Sequence, residues 1–196
     1  MAALSEVSSY LITTLVTFYV LIVILRFLLQ LARADYYNPI SQFIVKATSP
    51  LLRPLRRVIP SVGSLDTSSL VLALIVQALG IVLILFTSYG FIVNNPLSLL
   101  IWALLGVATA FTKLFFFSIL VSIIFSWIAP QSRHPALMLL QQVNEPVMAP
   151  FRRLLPNMGG LDLSPILVFI CINVVEILIR NAAVASQMPA GIVVGM

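Results

Sequence analysis

The chain reads as an all-α membrane protein: four transmembrane helices forming two parallel tandem repeats, each a helix, a basic amphipathic loop and a second helix. An extreme apolar composition, long uninterrupted apolar runs and an internal repeat lead to that reading. Of the 196 residues, 61% are hydrophobic and 9% charged, against roughly 45–50% and about 25% in ordinary soluble domains. No water-soluble fold hides that much apolar surface. A helix needs about 20 apolar residues to cross the hydrocarbon of a bilayer, and residues 7–32, 67–93, 97–129 and 163–185 each reach that length. Strands are excluded because these runs are continuously apolar, without the alternation that a membrane barrel requires.

The first run, 7–32, is too long for a signal-peptide core and has no basic segment before it or small-residue cleavage site after it, so it is expected to stay as a span. The third run exceeds the bilayer. Residues 97–106 are read as an interfacial lead-in equivalent to residues 1–10, which leaves 107–129 as the span. The lone cysteine, Cys171, falls in the fourth run and is expected to fill a small space in the core.

Charge sets the expected orientation. Arg33, Lys46, Arg53, Arg56 and Arg57 lie in the first long loop, and Arg133, Arg152 and Arg153 in the second. The other side carries Glu6, the turn Asn94-Asn95-Pro96 and an uncharged tail. By the positive-inside rule both loops are cytoplasmic and both termini outside, which in a bacterium means the inner membrane with periplasmic termini. The net charge of +5 is thus mainly a topology signal. Aromatic residues are not interleaved with these arginines as single-strand binders require, so no direct nucleic-acid partner is expected.

Laying residues 39–68 on residues 135–164 without a gap brings ten identities into register: Pro39/Pro135, Pro50/Pro146, Pro54/Pro150, Arg56/Arg152, Arg57/Arg153, Pro60/Pro156, Gly63/Gly159, Leu65/Leu161, Asp66/Asp162 and Ser68/Ser164. The same alignment lays the first span on the third and the second on the fourth, so the copies are parallel repeats related by an axis along the membrane normal. The units are residues 1–96 and 97–185, followed by a tail, 186–196, expected to be flexible outside the bilayer.

The repeated pattern Pro-x-x-x-Pro-(Leu/Phe)-Arg-Arg-x-(Ile/Leu)-Pro-x-x-Gly-(Ser/Gly)-Leu-Asp-x-Ser resembles the signature of the YggT family, called YlmG in Gram-positive bacteria and plastids. The match covers roughly residues 10–185, and its doubling resembles the proteobacterial form. The second copy keeps the proline of Leu-Asp-x-Ser-Pro as Pro165, whereas the first has Ser69. The first copy keeps Leu25-Arg26 and Asn38-Pro39, which the family pattern favours, where the second has His134-Pro135. The resemblance implies a membrane protein akin to members linked to osmotic-stress tolerance, to division or nucleoid organisation, and in plastids to cytochrome assembly.

Within 39–59, Ile40, Phe43, Ile44, Ala47, Leu51, Leu52, Leu55 and Val58 fall near helical spacing, with Lys46, Arg53, Arg56 and Arg57 mostly opposite. This predicts an amphipathic helix lying on the membrane. Pro50 and Pro54 are expected to break it into two short pieces. The second loop repeats the design with Leu137, Leu140, Val143, Val147, Phe151 and Leu154. Arg53, Arg56, Arg57, Arg152 and Arg153 are then either topology anchors at lipid phosphate level or a binding surface for anionic lipid or an acidic partner.

Gly63 and Gly159 suit turns with positive φ, Ser68 and Ser164 close the motif, and Asp66 and Asp162 are expected to cap the spans that follow. Alternatively, the two carboxylates pair with the neighbouring arginines or together hold a cation.

Ionisable residues inside spans are costly and draw functional attention. Counting about 1.5 Å per residue places Lys113 and Glu176 at matching depth, which predicts a contact between them, with Arg180 one turn further. Arg26 and Gln30 lie nearer the basic loops, where Arg26 can reach headgroups or Asp35. Gln77 and Asn173 are repeat mates expected to join helices by hydrogen bonds. Together Arg26, Gln77, Lys113, Asn173, Glu176 and Arg180 form either interhelical glue or a narrow polar path for an ion.

The chain has one histidine and one cysteine, with no acidic pair at ligand spacing and no phosphate-binding glycine loop, so no enzymatic activity, metal or cofactor is expected. His134 reads as an interfacial residue. The functional expectation is a non-enzymatic organiser or assembly and stress-tolerance factor with anionic-lipid or protein partners and a possible second copy of itself. The alternative is a small oligomeric channel or transporter.

Overall fold

A computed structural model describes residues 2–90, 95–129, 131–132, 134–154 and 162–193. Asn94, Arg133, Pro156, Gly159 and Leu161, invoked above, lie outside these residues. The helices run α1 (Ala2–Leu31), α2 (Pro39–Val58), α3 (Thr67–Tyr89), α4 (Pro96–Ile128), α5 (Pro135–Leu154) and α6 (Ser164–Ala185). Of these, α1, α3, α4 and α6 are long and apolar enough to cross a membrane, which makes this a multi-pass membrane protein. No strand is named among the described residues.

Helix starts follow their capping residues. Asn38 accepts the Ile40 amide at 2.9 Å ahead of Pro39, and Asn95 accepts the Leu97 amide at 2.9 Å ahead of Pro96. Asparagine satisfies an orphan amide, and proline at the first position forfeits no internal bond. His134, the repeat mate of Asn38, does the same job: its Nδ1 accepts the Ala136 amide at 3.3 Å.

Two packed cores correspond mate for mate. Val23, Leu52 and Leu72 are buried where α1, α2 and α3 meet, and Ile119, Met148 and Val168 where α4, α5 and α6 meet. Lipid is as apolar as leucine, so close backbone approach rather than water exclusion joins membrane helices. Gly80 of α3 supplies it against α1: a Cβ there would lie 2.7 Å from Val16 Cγ1. Gly106 of α4 carries the Gln77 side chain in the same way.

Three expectations are corrected here. First, α2 and α5 are continuous 20-residue helices despite Pro50, Pro54, Pro146 and Pro150. The four prolines stand on the exposed faces, where a carbonyl deprived of its amide partner turns to water instead of being buried. Second, residues 97–106, read as a lead-in to the span, are helically continuous with it. They continue into a 33-residue α4, about 50 Å long against a hydrocarbon core of about 30 Å. Third, the tail is packed as far as Val193. A left-handed turn at Gln187 (φ 54°) reverses the chain after α6, and Ile192 and Val193 are buried among Ile81, Leu85, Trp102 and Ala103. Trp102 Nε1 donates to the Ser186 carbonyl at 3.2 Å. Its apolar pair fits the gap between α3 and α4, which composition alone does not reveal.

Cys171 is exposed on α6 rather than filling the core, because α6 packs on α4 and α5 and among the described residues does not touch α1.

Candidate functional site

The amphipathic helices do not simply float on the bilayer. Each presses an inner stripe onto the bundle, Ser41, Ile44, Thr48 and Leu52 on α2 and Leu139, Val143, Asn144 and Met148 on α5. Phe43, Leu51 and Val58 on α2, with Met138 and Leu154 on α5, remain exposed beside the arginines. The two helices are also tied at their starts: Asn38 Nδ2 donates to the Pro135 carbonyl at 2.8 Å.

At the end of α2 the chain reverses through Gly63 (φ 61°), with Val62 and Leu65 exchanging backbone bonds at 3.1 and 3.0 Å. Thr67 and Ser68 hydroxyls then tie the first turn of α3 to the Pro60 and Ile59 carbonyls at 2.8 and 2.6 Å. Asp66 is fully buried. It makes no side-chain cap of α3, contrary to expectation. Instead its Oδ2 accepts from Arg56 at 2.5 Å and from Ser69 at 2.6 Å, because burial makes the guanidinium a stronger partner for the charge than an amide. Arg56 also donates to Gln30 Oε1 at 3.2 Å.

The second copy is built differently. Asp162 stands one residue before the cap position of α6, Leu163; its Oδ1 accepts the Ser164 amide at 2.9 Å and hydroxyl at 2.5 Å, and its Oδ2 accepts from Arg152 Nε at 3.0 Å. Arg152 Nη1 also donates to Glu145 at 2.7 Å. Partial burial pushes the Asp162 carboxyl up, but the Ser164 bonds and Arg152 outweigh it and hold the group below the usual carboxylate range. For Arg152, burial pushes down while the bonds to Asp162 and Glu145 push up and prevail. Each aspartate is taken by an arginine of its own repeat, and among the described residues no group of three His, Cys, Asp or Glu side chains converges for a metal ion.

Arg53, Arg57 and Arg153 are exposed and enter none of these pairs. Arg26 does not reach for Asp35. Its Nη1 donates to the Val45 carbonyl at 3.1 Å and Thr48 Oγ1 at 3.2 Å, while Asp35 accepts the Tyr37 amide at 2.9 Å.

The six intramembrane polar residues do not form one network. Glu176 accepts from Thr112 Oγ1 at 3.3 Å and lies within electrostatic range of Lys113. Gln77 is buried over Gly106. Its mate Asn173 is exposed and bonds only along its own helix, to the Phe169 carbonyl at 2.8 Å. Arg180 is exposed too. The mates diverge because α3 is flanked by α1, α2 and α4, whereas α6 has neighbours on one side. Asn144, which donates to Ser122 at 3.0 Å and accepts from Ser118 at 2.6 Å, escaped the sequence reading. A polar residue on an otherwise apolar inner stripe was its only signal.

Comparison with known proteins agrees with the repeat. The CCB3/YggT family profile matches residues 5–87 and again 97–183. An uncharacterised Pseudomonas aeruginosa protein is 48% identical over 96% of both chains. An uncharacterised protein of Vibrio alginolyticus is 47% identical over 83% of this chain and 87% of its own. YggT of Escherichia coli K12, also described as uncharacterised, is 38% identical over 86% of each. No solved structure matches. With its doubled motif, four spans and full-length relatives, the chain belongs to the CCB3/YggT family.

Proposed function

We propose that this protein is a non-enzymatic organiser or assembly and stress-tolerance factor of the bacterial inner membrane, with both basic amphipathic helices on the cytoplasmic side, where they engage anionic lipid or partner proteins. The supporting observation is the placement of exposed Phe43, Leu51 and Val58 beside exposed Arg53 and Arg57 on a helix whose other stripe is locked to the bundle. A helix held this way presents an apolar edge for the acyl boundary and cations for phosphates. The positive-inside asymmetry supports the orientation. Dispersal of the intramembrane polar residues argues against a conducting path.

Lipid enrichment around the reconstituted full-length protein tests the reading. In mixed phosphatidylglycerol–phosphatidylcholine nanodiscs, the parent should enrich the anionic lipid. Changing Arg53, Arg57 and Arg153 to Glu should reduce that enrichment by about fivefold for each arginine, at about 1 kcal/mol per basic residue near an anionic surface. Equal enrichment by parent and variant, or ion or water flux through proteoliposomes that Glu176→Gln alters, would overturn it.

A further inference from the structure

Between α1 and α2, at the basic end, lies a cavity of about 460 Å³ lined by Arg26, Gln30, Arg33, Tyr36, Ser41 and Arg56. The second repeat has the same crevice, shrunken to about 120 Å³. Its walls are the repeat mates of the first: Ser122 stands for Arg26, Ser126 for Gln30, Ala129 for Arg33, Ser132 for Tyr36 and Leu137 for Ser41. Among the described residues one architecture thus exists in a cationic and an uncharged edition within a single chain.

Charge is unbalanced in the first. Arg26 lies within electrostatic range of both Arg56 and Asp66, and Asp66 is already committed to Arg56 and Ser69. Against three guanidinium groups stands one buried carboxylate. In the second repeat Arg152 is held by two acids, Asp162 and Glu145.

Polar satisfaction differs in the same sense. Ser41 is 3% exposed, and its hydroxyl, like Oδ1 of Asp66, has no hydrogen-bond partner among the described residues. Buried polar groups rarely stay unpaired without a functional reason. At the second crevice the wall residue Ser122 accepts from Asn144, which itself accepts from Ser118. Arg33 adds a third asymmetry. Ala34 N bonds Leu29 O at 2.9 Å and Arg33 N bonds Gln30 O at 3.2 Å, the paired closure that ordinarily places glycine where Arg33 sits at φ 49°. An arginine there costs about 1 kcal/mol and directs its side chain to the cavity wall. Ala129, its mate, has φ −143°.

We propose that this cavity binds a phosphate group, and that the first repeat alone has the site. The inference deepens the lipid-engagement reading and rests on it for the source of the ligand, an anionic phospholipid headgroup; free phosphate offers the same chemistry. Guanidinium forks match phosphate oxygens two at a time. Arg26 is five residues from the end of α1, about 8 Å inside it, the depth of lipid phosphates when α1 ends at the interface. A second groove of about 680 Å³ carries Lys46 and Arg53 and shares Tyr36 with the cavity, giving the ligand a cationic approach.

The test is saturable binding of dihexanoyl phosphatidylglycerol to the purified full-length protein in zwitterionic detergent, followed by phosphorus NMR with inorganic phosphate as competitor. Arg26→Ser with Arg33→Ala installs the residues of the second copy, Ser41→Leu narrows the cavity without removing charge, and Arg180→Gln removes an exposed arginine on α6, outside the cavity. Affinity should fall at least tenfold in the first two variants and less than threefold in the third, with thermal midpoints showing which variants fold. Displacement by inorganic phosphate at equal concentration identifies the free ion as ligand, and its failure to compete identifies the lipid; either supports the site. Unchanged saturable binding in folded Ser41→Leu and Arg26→Ser/Arg33→Ala overturns the proposal, as does an equal loss in Arg180→Gln. Nanodisc enrichment that survives while the saturable site is absent sinks the cavity and spares the organiser reading. Loss of enrichment with the site intact does the reverse.

Discussion

At the residue scale, the repeated Arg-Arg and Gly-x-Leu-Asp-x-Ser elements produce two different joints. Asp66 is fully buried and salt-bridged to Arg56, while the Asp162 and Arg152 side chains are about half exposed, at 47% and 46%. Removing one partner of a buried pair strands the other charge, whereas an exposed pair is screened and contributes little. Arg56→Ala, which strands the buried Asp66, is therefore expected to destabilise the protein by about 3 kcal/mol, and Arg152→Ala by less than about 1 kcal/mol. Unfolding of both variants in detergent micelles measures the difference. Equal losses would mean that burial does not distinguish the joints.

At the scale of elements, the structure depends on how closely helices approach rather than on how apolar they are. Gly80 sits under Val16, a β-branched side chain with little rotamer freedom. Gly80→Ala should lower stability by about 1–2 kcal/mol through overpacking, despite the better helix propensity of alanine. Adding Val16→Ala should recover most of the loss, a coupling that a double-mutant cycle of thermal unfolding reads directly. At Gly106 the obstructing group is the long side chain of Gln77, which can swing aside, so Gly106→Ala should cost less. The continuity of α2 and α5 across their prolines belongs to this scale too. Proline spacing was legible in the sequence, but the exposed face on which the prolines fall depends on which stripe the bundle buries.

At the scale of the whole molecule, a repeat that is nearly symmetric in its cores is asymmetric at its edges. The tail exploits one edge, filling the space between α3 and α4 with Ile192 and Val193. Ile192→Ala should cost about 1–2 kcal/mol, toward the low end for core truncations because lipid competes for the same surface. It should also shift the fluorescence of Trp102, measured with exposed Trp127 replaced by Phe; an unmoved spectrum would mean that the tail does not pack there.

The sequence by itself determined the class of solvent, the number and approximate limits of the spans, the twofold repeat and the arginine–aspartate motif. These rest on composition, run length and spacing along the chain, which are local properties. It also pointed to both arginine–aspartate pairs as an alternative to capping, since ten residues separate the partners in each copy. Only the tertiary structure decided which pair is buried, that Gln77 and Asn173 part company, that the tail is packed and that Arg26, Arg33 and Ser41 share a cavity. Those outcomes depend on the rotation of each helix about its axis and on which neighbours it finds, and a pattern that repeats along one chain cannot specify how its two copies meet.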